Sequence, residues 1–131
     1  MIFLIGFDEK EVEIIKKTLK EYRVYGIPQY CRDWILQEIV EKAPKLEGDC
    51  NWHARKFFLM HNLEDTRVKE VLEKIKSLNL GRIIFATTTP TSLTWRLEDL
   101  MGEWIKEDEY FQELRRRKAS RFYLDVDIGK S

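Results

Sequence analysis

The residues in this chain best suited to chemistry form a run of hydroxyls, Thr87-Thr88-Thr89-Pro90-Thr91-Ser92, followed by Leu93-Thr94-Trp95. The run reads as a turn just ahead of a helix. A helix N-terminus offers unpaired N–H groups and a partial positive charge, so a phosphate, a nucleotide or another small anion could bind there. No Gly-rich cradle is present and no Lys follows, so this is not a Walker loop. The same hydroxyls, with Thr91 or Ser92 as the cap, could simply satisfy the helix and the turn.

Cys50-Asn51-Trp52-His53, with Cys31 and His61, supplies types of residue that ligate zinc. The spacing lacks a paired Cys-x2-Cys, so Cys50 and His53 are weak metal candidates and no metal is expected. A nucleophile–base pair between Cys50 and either histidine would need a third group to orient the base, and none is evident. A phosphoacceptor reading also fails. Asp8 and Thr87 or Thr88 suit it, but His61-Asn62 stands where an acceptor Asp belongs. Without a carboxylate pair no Mg²⁺ site forms. No catalytic residue and no cofactor are therefore expected. Asp8, His61, Asn62, Thr87, Thr88, Thr89, Thr91 and Ser92 remain as candidate ligand-binding residues.

Arg115-Arg116-Arg117-Lys118, with Arg121 beyond, makes a local positive patch that could meet nucleic acid or an anionic partner. Glu103, Glu107, Asp108, Glu109 and Glu113 precede it, and on a helix acids one turn before bases pair within the helix. Trp95 falls off the apolar stripe of its helix. If exposed, it would anchor a partner, as Trp often does at interfaces.

These residues need elements to position them. Ile2–Phe7 reads as a strand buried on both faces. Asp8 and Glu11 form a capping box, with Val12, Ile15 and Leu19 on the helix that follows. Arg23–Ile27 reads as a strand, Asp33–Lys42 as a helix and Pro44–Trp52 as a loop. Arg55–His61 reads as a strand, after which Asn62 caps a helix striped by Val68, Val71, Leu72, Ile75 and Leu78. Asn79 and Gly81 stop that helix. Arg82–Thr87 is the fourth strand, and Leu93, Leu97, Leu100, Met101 and Trp104 share a helix face after it. Glu107–Lys118 continues as helix. Phe122, Leu124, Val126 and Ile128 alternate with polar residues, as in an edge strand, so residues 1–118 read as one domain and 119–131 as a tail or edge strand. No internal repeat stands out.

Strand–helix units in succession predict an α/β fold: a mainly parallel sheet of four or five strands flanked by helices, of flavodoxin or receiver architecture. In such sheets ligands bind at the carboxyl ends of the strands. That rule would gather Asp8, Pro28–Cys31, His61-Asn62 and Thr87–Ser92 at one edge. The segment Phe85–Leu100, with its strand, Thr-rich turn, Trp95 and spaced leucines, resembles the signature of the domain of unknown function 3783. That family comprises small bacterial and archaeal domains, and the strand and helix of Phe3–Leu19 are similar to its start. The resemblance covers about the first 105 residues. It implies a small α/β domain and no particular activity.

The chain has 131 residues, enough to bury a core. Acids and bases number 23 each, and zero net charge argues against nucleic acid as the main partner. It also removes a defence against self-association, so a homo-oligomer is expected. The Lys, Arg and Glu usage is thermophile-like. No run approaches the roughly 18 apolar residues of a membrane helix, so a cytoplasmic protein without membrane contact is expected. The leading expectation is a non-enzymatic binding or regulatory domain with an unknown protein partner. The alternatives are a small-anion site or enzyme at residues 87–92 and nucleic-acid binding through Arg115–Arg121.

Overall fold

In the computed structural model the backbone is described for residues 1–130 and the side chains for residues 1–118. The apolar run at the start becomes strand β1, Ile2–Ile5, whose residues are all buried. Asp8 then starts helix α1, Glu9–Thr18, through the expected capping box: Asp8 accepts from the Glu11 N–H and Glu11 accepts from the Asp8 N–H. Strand β2, Val24–Gly26, leads to a 3₁₀ turn at Gln29–Cys31 and helix α2, Leu36–Lys42. A second 3₁₀ turn and an irregular stretch reach strand β3, Lys56–Met60. Helix α3, Asp65–Lys76, strand β4, Ile83–Thr87, and a 3₁₀ turn at Ser92–Thr94 follow. Helix α4 runs Leu97–Lys130. No helix among the described residues is long and apolar enough to cross a membrane.

The four strands lie in the order β2-β1-β3-β4. β1 is parallel to β2 and β3 is parallel to β4, but the central pair, β1 with β3, is antiparallel. The sheet is therefore mixed, and the expectation of a mainly parallel, flavodoxin- or receiver-like sheet is corrected. The cause is the connection into β3. Helix α2 has only seven residues. The chain after it does not return to the start of β1 but passes over its end. There the Gly6 N–H donates to the Cys50 carbonyl and the Trp52 indole N–H donates to the Ile27 carbonyl. β3 thus begins beside the end of β1, with Phe57 opposite Ile5, and must run the other way.

The sheet is covered on both faces. Phe3, Ile5, Ile27, Phe57 and Leu59 pack with Leu36 and Ile39 of α2 and Leu97, Leu100 and Met101 of α4. Ile2, Leu4, Phe58 and Met60 pack on the other face with Ile15 of α1 and Val71 and Ile75 of α3. Alternate strand residues feed alternate layers, as a pleated strand requires.

Several local expectations are corrected. Helix α2 begins at Leu36, not Asp33. Asn62 does not cap α3: Glu64 is the N-cap, and Asn62 takes a left-handed φ of 57° instead. Neither Thr91 nor Ser92 caps α4, which starts beyond them at Leu97. The backbone of 122–128 is helical, not a strand. A helix already running through Glu- and Arg-rich sequence extends at one hydrogen bond per residue, whereas an edge strand must find a partner first.

The absence of a repeat is also corrected, because the two halves share one plan. β1–α1–β2–α2 and β3–α3–β4–α4 are related by an approximate two-fold axis through the Phe3–Leu59 pair. Several of their hydrogen bonds correspond. Val12 N to Asp8 O matches Val68 N to Glu64 O, Ile27 N to Leu4 O matches Thr88 N to Met60 O, and Trp34 N to Cys31 O matches Trp95 N to Ser92 O. Across the axis the Leu36 N–H donates to the Trp95 carbonyl and the Leu97 N–H to the Trp34 carbonyl, with Ile35 bridged to Arg96. Gly6 and Asn62 end their strands at equivalent left-handed positions. Few equivalent residues are identical (Trp34 with Trp95 and Leu36 with Leu97 among them), and the turn between α3 and β4 is the longer one. A reading by residue identity therefore misses the repeat.

Candidate functional site

In the Thr-rich turn, the Thr89 and Ser92 hydroxyls each bond the other residue's backbone. The Ser92 N–H donates to Thr89 Oγ1 at 2.9 Å, and the Thr89 N–H donates to Ser92 Oγ at 2.8 Å. Ser92 Oγ also donates to the Thr89 carbonyl, and Thr94 Oγ1 to that of Thr91. This reciprocal clamp is a hydroxyl turn motif. It closes a 3₁₀ turn, and the first residue of α4 lies beyond it, so no long helix points its N-terminus at the hydroxyls. The long helix behind this turn begins at Leu97, beyond the hydroxyls.

His61 Nδ1 and Thr88 Oγ1 share a hydrogen bond of 2.8 Å. Burial lowers the His61 pKa, so the ring is neutral near pH 7. The pair lies in a shallow cleft of about 230 Å³ with Asn62, Leu63, Pro90 and Leu93. Among the described residues no carboxylate bonds the ring, so no third group orients it as a base. Asp8 is far from this cleft. Because β1 and β3 are antiparallel, their carboxyl ends lie at opposite edges of the sheet. The structure therefore brings His61, Asn62 and Thr87–Ser92 together and leaves Asp8 and Pro28–Cys31 at the other edge.

Cys50, Cys31 and His53 have the following surroundings. Cys50 is buried and its Sγ donates to the Phe7 carbonyl, and burial raises its pKa. Burial, with the Asp33 charge, pushes the Cys31 thiol up to about 11. His53 Nδ1 accepts from the Arg55 N–H, and its ring packs edge-on against Phe57. Among the described residues no group of three His, Cys, Asp or Glu side chains could hold a metal ion. In the basic run, Arg116 and Arg117 bond Glu113 one turn back, which lowers the Glu113 pKa. Arg115 and Lys118 are exposed beside them.

A further opening is bordered by Trp95 and by one side of the Thr-rich turn. A groove of about 500 Å³ runs between β4 and α4. Ile84 and Ala86 of β4 face Leu100 and Trp104 of α4 across it, Thr87, Thr91 and Ser92 close one end, and Phe111 lies at the other. Glu103, Glu107 and Asp108 rim it. Trp95 is 42% exposed and Phe111 56%. Asp108 is held by Arg55 and Arg82, which ties α4 to the sheet, and Glu103 reaches Lys106 on its own helix. β4 is an edge strand, so among the described residues no other strand faces its outer backbone groups. Sequence reasoning missed Ala86, Glu103, Trp104, Glu107 and Phe111, because a strand and a helix make a groove only once they are side by side.

A family sequence model described as Domain of unknown function (DUF3783) matches residues 56–111. Residues 56–111 are thus similar to that family. The DUF3783 match begins with β3 and includes the Thr-rich turn and Trp95, as the resemblance implied. It leaves out Phe3–Leu19, which the resemblance had included. It covers the second of the two related halves and contains the residues that line the groove. No curated protein and no solved structure was found to match the chain.

Proposed function

We propose that this domain is a non-enzymatic binding module that holds a segment of a protein partner in the groove between β4 and α4. One observation carries the reading: an open, mostly apolar groove beside an edge strand, with an exposed Trp95 at its margin. An edge strand can pair with an added extended segment, and pockets beside it then select side chains. Trp is the residue type most often found to dominate interface energies. The carboxylates at the rim disfavour a phosphate or nucleotide, and the Thr89 and Ser92 hydroxyls already have partners.

The test is selection of a displayed random-peptide library on the purified domain. Selected peptides are expected to lose affinity about tenfold when Trp95→Ala removes the anchor, the usual scale for a hot-spot residue. Ala86→Arg, which obstructs the groove floor, is expected to do the same. Peptides that bind both variants as well as they bind the native domain would overturn the proposal. So would a thermal stabilisation by a nucleotide or phosphorylated metabolite that Thr88→Val abolishes, since a ligand of the folded state adds about 2.7 kcal/mol at a hundredfold excess over its Kd.

A further inference from the structure

The two-fold relation supplies a comparison inside the molecule, because the first half contains the counterpart of the groove in filled form. Trp34 occupies the position of Trp95. Tyr30 packs edge-on against Trp34 at 5.7 Å, and the Lys42 ammonium stands over the same ring at 5.2 Å. Tyr25, on strand β2, stacks on Phe3 at 5.9 Å. Follow the same positions into the second half. Tyr25 becomes Ala86, Tyr30 becomes Thr91 and Lys42 becomes Glu103. Two rings and a cation are missing, and the groove of about 500 Å³ lies where they would be. Trp34 is half-buried under its neighbours, whereas Trp95 is exposed.

The exchange of Lys42 for Glu103 carries the chemistry further. In the first half the cation over the indole belongs to the chain. In the second half a carboxylate stands in its place, with Glu107 one turn on, so an incoming cation would be attracted by the acids and by the ring face of Trp95. The small Ala86 and Thr91 leave room for an aromatic ring above β4. From this complementarity of charge and shape we infer that the groove takes an extended segment of a protein partner carrying an aromatic side chain and, close to it, a Lys or Arg. The aromatic side chain fills the space of Tyr25 and Tyr30, and the base takes the place of Lys42. The inference rests on the groove being the binding site, as proposed above, and adds what it selects.

The same peptide selection tests it, read now by sequence. Among peptides that lose binding in Ala86→Arg or Trp95→Ala, an aromatic residue paired with Lys or Arg is expected to be enriched. Glu103→Lys is expected to weaken a selected peptide about tenfold, and replacing that peptide's base by Glu should restore much of the loss, as for an attractive pair made repulsive. The combined variant Ala86→Tyr, Thr91→Tyr, Glu103→Lys rebuilds the filled half. It should keep the native thermal midpoint or raise it, and should bind no selected peptide. Groove-dependent peptides without an aromatic or a base, or affinity indifferent to Glu103→Lys, would overturn this inference and leave the binding-module reading standing. Peptides indifferent to Ala86→Arg and Trp95→Ala would overturn both.

Discussion

The two cysteines show how burial decides the fate of a reactive group. A thiol reacts as its thiolate, and Cys31, fully buried, holds its proton up to about 11 because burial and the Asp33 charge disfavour the ionised form. An unfolded thiol ionises near about 8.5. Between those values the folded state binds the proton that the unfolded state has lost, so this group's contribution to stability is complete below the unfolded pKa and falls as pH rises through the window. Urea unfolding at pH 8 and at pH 10 is expected to show native protein losing more stability than Cys31→Ala. Equal losses would mean that Cys31 does not titrate as its surroundings dictate. At this scale much was legible from sequence. The Asp8–Glu11 box depends on residues three apart, and both of its bonds form as expected. The roles of the turn hydroxyls were not legible, because choosing between a helix cap and a closed turn depends on where α4 starts.

At the scale of elements, the junction between β1 and α1 shows the difference between conformation and space. Gly6 has a φ of +84°, and a Cβ there would meet the Arg55 carbonyl oxygen at 2.0 Å. Its counterpart Asn62 adopts a similar φ with a side chain in place. Asn tolerates the left-handed region at modest cost. Gly6→Ala is therefore expected to destabilise the fold by more than about 2 kcal/mol, since strain and a backbone clash add. Asn62→Ala should cost about 1 kcal/mol, from backbone strain alone. Chemical denaturation of both variants checks this, and similar losses would show that the close approach of Arg55 to Gly6 does not constrain the chain. The elements themselves were largely readable, because apolar periodicity is local. The direction of β3 was not, since it depends on how a short helix and a loop cross the end of the sheet.

For the whole molecule, the two-fold plan implies a shared seam. Leu36 and Leu97 begin α2 and α4 at equivalent positions, are fully buried, and lie where each backbone bonds the other half. Leu36→Ala and Leu97→Ala are each expected to cost about 2–5 kcal/mol, the range for a buried Leu truncated to Ala. Both variants should still unfold in one transition, because β1 and β3 are paired at the centre of a single sheet. Two transitions in urea, with one half melting first in either variant, would show that the halves are independent.

Sequence alone determined what local forces control: the α/β class, the four strands and the apolar stripes of the helices, the box at Asp8, and the Thr-to-Trp segment that is similar to the DUF3783 family. Side chains a few residues apart meet in any fold that contains the element, so their pattern is readable in advance. Tertiary structure decided the antiparallel centre, the separation of Asp8 from His61, the two-fold relation of the halves and the groove. Each depends on contacts between residues far apart in the chain, and a half-turn of β3 changes every one of them while leaving the local pattern as it was.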